Sequence, residues 1–129
     1  MEALEGLRAR VAGFPGYDTD ADRRRSDELV RSYLGEAIAE LPPAEQLRER
    51  IDALLLRVGF ASQGLFAPHA DAMVNHSGDA AVIDADAVIV ELADTAPTVP
   101  GDGLAAYLDK LNEALDRRDA AMRASAVRT

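Results

Sequence analysis

"DAAVIDADAVIVELADTA", residues 79–96, is the stretch on which the fold turns. Read at helical spacing, Val82, Ala85, Ile89, Leu92 and Ala96 share one side, and Asp84, Glu91 and Asp94 fall roughly opposite. Read as a strand, its valines, isoleucines and partial alternation favour an extended chain. The neighbouring segments decide between the two. Each of them is patterned as a helix, and a lone strand would have no partner for its backbone hydrogen bonds. The expected fold is therefore all-α, a compact bundle of four to five helices forming a single helical domain over residues 1–129. A strand at 79–96 is the alternative.

Downstream, "TAPTVPGDG" ends this helix and Asp102 is placed to cap the next one. Leu104, Leu108, Leu111 and Leu115 carry the last helix to Met122, with Tyr107 and Ala114 alongside. Arg117, Arg118 and Arg123 lie toward its C-terminus, where cations complement the helix dipole.

Upstream, "LPPAEQLRER" opens a third helix, with Pro42 and Pro43 at its cap and first turn. Leu47, Ile51, Leu54, Val58, Ala61 and Leu65 alternate spacings of four and three, which predicts a helix over 43–66 ending before Pro68. Leu56 and Phe60 lie on the far side of it, at about 100° per residue. A helix apolar on two sides is either central in its own bundle or shared with another subunit. Leu56 and Phe60 are accordingly the candidate interaction residues, and a homo-oligomer, most simply a dimer, is the expected partner arrangement.

The N-terminal third is also helical in pattern. Leu4, Leu7, Val11 and Phe14 predict a short amphipathic helix over 2–12, stopped by Gly13 and the turn in "GFPGYD". Phe14 and Tyr17 flank that turn and are expected to fold back onto the helix ends, an exposed partner contact being the alternative. "YDTDADRRRSDELV", Tyr17–Val30, begins like a calcium loop, with aspartates at 18, 20 and 22. Such a loop needs glycine at its sixth position and glutamate at its twelfth, where this chain has Arg23 and Leu29. The stretch reads instead as a helix start, with Thr19 capping the amide of Asp22. Val30, Tyr33, Leu34, Ala37, Ile38 and Leu41 continue as one apolar stripe. Arg23 and Arg24 fall four residues before Asp27 and Glu28, and Asp27 four before Arg31, and all are expected on a solvated face.

Composition narrows the function classes. Hydrophobic residues make up 48% of the chain, enough for a packed core, while aromatics are only 5%, so that core must be aliphatic. The absence of cysteine removes disulfides, thiolate metal sites and thiol catalysis, and fits a reducing compartment. No signal-like start is visible, and the longest apolar run, Ala80–Ala93, is interrupted by Asp84, Asp86 and Glu91. The expectation is a soluble cytoplasmic protein, and thirteen arginines against a single lysine, Lys110, fit a GC-rich bacterial genome. A net charge of −9 opposes general binding to nucleic acid or anionic lipid. Residues 67–103 hold Asp71, Asp79, Asp84, Asp86, Glu91, Asp94 and Asp102 without one lysine or arginine. Such a field is met by neighbouring arginines or a basic partner surface, or serves solubility alone.

No catalytic constellation emerges. His69 and His76, with Asp71 between them, are seven residues apart and do not share the spacing of a helical metal pair. Ser62 and Ser77 lack the glycine of a nucleophile elbow. There is no phosphate loop, no dinucleotide fingerprint and no Glu-x-x-His for a di-iron bundle. The sequence implies no catalytic residue, metal site or cofactor. It reads as a non-catalytic helical protein acting through protein–protein interaction or self-assembly. The alternative is a small-molecule or metal-binding bundle, with its ligand near the acidic segment 67–103.

Overall fold

A computed structural model describes residues 2–42, 44–60 and 79–126. Five helices follow in order: α1 (Glu2–Arg10), α2 (Asp20–Ala39), α3 (Arg48–Val58), α4 (Asp79–Thr95) and α5 (Leu104–Ala126). Among the described residues there is no strand. The all-α expectation holds, and residues 79–96 are helical through Thr95. Short 3₁₀ turns at Glu45–Leu47, Ala96–Thr98 and Gly101–Gly103 lead into or away from the helices.

The element ends have local causes. α1 stops because Gly13 takes φ +77, a left-handed conformation that costs other residues about 1–2 kcal/mol. Gly16, at φ +94, completes the reversal. Thr19 has extended backbone, and its hydroxyl accepts from the amide of Asp22 at 3.0 Å, so α2 starts with the expected cap. α3 is shorter than expected: Leu47 closes the 3₁₀ turn before it, and Gly59 ends it. Ala61 and Leu65, the end of the expected seam, lie outside the described residues. Asp102 sits within the 3₁₀ turn Gly101–Gly103, one residue short of α5, so it is a lead-in and not the residue flanking that helix.

α4 is the central element. It packs along α5 and also meets α1 and α2, while α3 rests against α2 and more lightly on α5. The core is aliphatic as composition requires: Leu7, Val30, Leu34, Ile38, Val82, Ile89, Leu104, Leu108 and Leu111 are all buried in one cluster. Phe14 and Tyr17 are buried in the same cluster, edge to face with ring centroids 5.9 Å apart. They are core residues, not an exposed contact. The buried face of α4 differs from the expected seam. It runs through Val82, Ile83, Asp86, Ile89, Val90, Ala93 and Ala96, rotated so that Ala85 and Leu92 lie at its margin. The rotation places a carboxylate in the core.

Candidate functional site

Two features could carry function: the outer face of α3 and a charged network inside the bundle. α3 is anchored by Leu54 and Val58, both buried, with Leu47, Ile51 and Leu55 partly covered. Leu56, on the opposite side, and Phe60, two residues past the helix end, are 66% and 67% exposed. The structure leaves both candidate interaction residues uncovered by the described chain. Ala53 is exposed one helical turn before Leu56. Glu49 and Asp52 are exposed on the same helix, as are Arg48 and Arg50. Arg50 pairs with Asp109 at 2.6 Å, and Arg57 with Asp116 and Asp119 at 2.7 and 3.1 Å, all on α5. Arg48 lines a separate groove of about 300 Å³ between the end of α2 and α3, with Ile38, Leu41, Ile51 and Leu55 among its walls. α3 thus presents Leu56 to solvent, with Glu49 and Asp52 beside it.

The interior network joins four parts of the chain. Asp86 of α4 is fully buried, and its two oxygens accept from the Tyr17 hydroxyl and from Nε of Arg118. Arg118 of α5, also buried, donates from Nη1 to Asp27 of α2 at 2.7 Å. The second oxygen of Asp27 accepts from Nε of Arg31 at 2.8 Å. Arg31 reaches on to the carbonyl of Val58 at the end of α3, at 3.3 Å. Arg23 is buried as well, 6.0 Å from the Tyr17 ring, with Nη2 at 3.5 Å from the Met122 carbonyl. Ser26 fastens the turn by donating to the Gly16 carbonyl at 2.6 Å and accepting from the Gly16 amide at 3.2 Å.

This corrects the expectation of a solvated face at the start of α2. The Asp27–Arg31 pair is present, but Asp27 is buried because Arg118 draws it inward. The environment sets the charges. Burial opposes ionisation of Asp27, yet the Arg118 and Arg31 guanidiniums outweigh it and hold its pKa below the ordinary value. Burial raises Asp86, partly offset by Arg118 and Tyr17. Tyr17 is pushed well up by burial and by the charge of Asp86, so its phenol stays a donor. Burial works against the Arg118 cation, but the neighbouring Asp86 charge prevails and keeps it protonated. No member of the network lines the grooves at α2–α3, α1–α4 or α4–α5. These groups hold one another.

The acidic segment is met partly by arginines, as its charge requires. Asp86 takes Arg118, and Asp94 takes Arg10 at 3.2 Å as well as the Tyr33 hydroxyl. Asp84, Glu91 and Asp102 are exposed. His69, His76, Asp71, Ser62 and Ser77 lie outside the described residues. Among the described residues, no group of three or more acidic, histidine or cysteine side chains is placed to hold a metal. Among them, too, no helix is long and apolar enough to cross a membrane.

Comparison with protein-family models, characterised proteins and solved structures returns no significant match.

Helical spacing sets Leu56 and Phe60 apart from the buried side of α3, but it does not pick out the network. Its signal was nonetheless present. Asp27 is in phase with Val30, Leu34 and Ile38; Asp86 with Val82 and Val90; Arg118 with Leu111, Leu115 and Met122. Charged residues of opposite sign, each in step with an apolar stripe, are what a buried ionic cluster looks like in sequence.

Proposed function

We propose that the protein is a non-catalytic helical module that works by protein–protein contact through the outer face of α3, most simply by pairing with a second copy of itself. The observation that carries this reading is the exposure of two large apolar side chains, Leu56 on the helix face opposite the buried one and Phe60 just past the helix end. Large apolar side chains grouped this way, rimmed by charge, are typical of contact surfaces. A two-fold arrangement covers the strip of each copy with the strip of the other, and it is the commonest closure for soluble oligomers. Mutual burial of two leucines and two phenylalanines is worth about 6–12 kcal/mol at most, at about 1.5–3 kcal/mol per side chain. Lost rigid-body freedom costs about 4–15 kcal/mol. The best case is a net gain of about 8 kcal/mol, a dissociation constant of about 1 μM, so the expected dimer is weak and reversible.

The test is the double variant Leu56→Asp, Phe60→Ser, followed by light scattering for mass and circular dichroism for folding. A dimeric parent that becomes a folded monomer supports the contact. A parent that is monomeric at every concentration refutes pairing. A variant that unfolds would assign the two side chains to the internal core and refute it equally.

A further inference from the structure

We infer that α3 is a latched segment, held against α5 by an ionic seam and released from the bundle, ahead of the other helices, as ionic strength rises. Arg50 and Arg57 stand seven residues apart and so share one side of α3. Facing them, Asp109, Asn112, Asp116 and Asp119 follow one another at spacings of three and four along one side of α5. The two rows interlock. Arg50 reaches Asp109 at 2.6 Å, and Arg57 reaches Asn112, Asp116 and Asp119 at 3.2, 2.7 and 3.1 Å. Net charge matches as well, since three arginines against Glu49 and Asp52 leave α3 at +1 in a chain of −9.

The apolar attachment of α3 is slight by comparison. Of its eleven residues only Leu54 and Val58 are buried, whereas α5 encloses Leu104, Leu108, Leu111 and Met122 completely. Toward α2 its packing is interrupted by the groove beside Ile51 and Leu55. From α2, Arg31 adds a bond to the carbonyl of Val58 at 3.3 Å. Segments with few buried apolar contacts open locally at a lower free energy than the whole fold. In α3 the ionic seam supplies what packing does not. Arg50 and Arg57 are 40% and 32% exposed, and Asp109 and Asp116 still more so, which leaves the seam open to screening. Screening acts the other way on the bundle as a whole, because it relieves the self-repulsion of a chain at −9. Salt therefore moves α3 and the rest of the protein in opposite directions.

The experiment is hydrogen–deuterium exchange of the full chain, read on peptides from α3, α4 and α5 at about 20 mM and about 500 mM NaCl. The wild type is compared with the triple variant Asp109→Asn, Asp116→Asn, Asp119→Asn. That variant leaves the sequence of α3 untouched, so any change in α3 is transmitted across the seam. In the wild type the α3 amides should exchange about threefold faster at the higher salt, while those of α4 and α5 hold or slow. In the variant they should already exchange at about that faster rate at low salt and respond little. Circular dichroism checks folding, and Asp109→Asn alone, with a smaller shift in the same direction, replaces a triple variant that does not fold. Four results overturn the inference. They are an α3 indifferent to salt in the wild type, an equal acceleration of α3, α4 and α5, a variant α3 that responds to salt as the wild type does, and α3 amides that exchange at low salt as fast as an unfolded peptide.

Discussion

Asp86→Ala is the most informative single change, because it removes the carboxylate that Tyr17 and Arg118 share. In the wild type both oxygens of Asp86 are bonded, and the residue is fully enclosed. After truncation Arg118 retains Asp27 but carries a buried Nε–H with its acceptor gone, and the Tyr17 hydroxyl loses its acceptor as well. Breaking a buried pair from one side costs about 3–5 kcal/mol, chiefly from the charge left behind. A chain of this length has a net stability of about 6–19 kcal/mol at about 0.05–0.15 kcal/mol per residue. The loss is therefore a large share of the whole, and the melting point should drop by about 10–20 °C. Urea unfolding followed by far-ultraviolet circular dichroism measures it. The companion Asp86→Leu, Arg118→Met removes both partners and leaves Asp27 its bond to Arg31, so it should recover much of the loss. A single variant costing less than about 1 kcal/mol would refute the reasoning, since that is the range of an exposed pair. So would a double variant as damaging as the sum of its parts.

Two smaller predictions follow from α2. Thr19→Ala should cost about 1 kcal/mol in the same assay, because the Asp22 amide loses its side-chain acceptor. Asp27 has a lowered pKa in the folded protein, so its stabilising contribution is complete above its ordinary value near about pH 4 and is lost as pH falls through the folded value. Asp27→Asn should therefore flatten the acid limb of urea midpoints below about pH 4, and an unchanged slope would count against the assignment. Asp86, raised by burial, acts with the opposite sign on the same descent, which is why the test is made at Asp27.

How much of this was legible in the chain depended on whether residue type and burial agreed. Leu104, Leu108, Leu111 and Leu115 gave α5 without ambiguity, and Val30, Leu34 and Ile38 gave α2, because apolar residues in register can only face inward. Thr19 was legible because a cap is a local bond three residues long. The register of α4 was not legible because Asp86 belongs to its buried face, and the partner that holds it there lies 32 residues away on α5. Arg118 was read as a cation serving the end of its own helix for the same reason. A charge is placed inside only when another segment supplies its complement, and periodicity within one segment cannot report that. The exposed pair on α3 was legible because it asked only which side of one helix each residue occupies.

The partners in the network are far apart along the chain: Tyr17 and Asp86 by 69 residues, Asp27 and Arg118 by 91, Arg23 and Met122 by 99. Helices form within about a microsecond from local contacts, so collapse can precede any of these meetings. A collapsed chain in which α5 has slid by one residue rotates its face by about 100°. Such a chain still has leucines and alanines to bury, but Arg118 is carried away from Asp86 and Asp27. The oily contacts tolerate the slip and the charges do not. The network is therefore expected to disfavour near-native bundles that hydrophobic packing alone would accept. Asp86→Leu, Arg118→Met should accordingly fold to a less uniquely ordered state, seen as broadened amide resonances, even where its stability is restored.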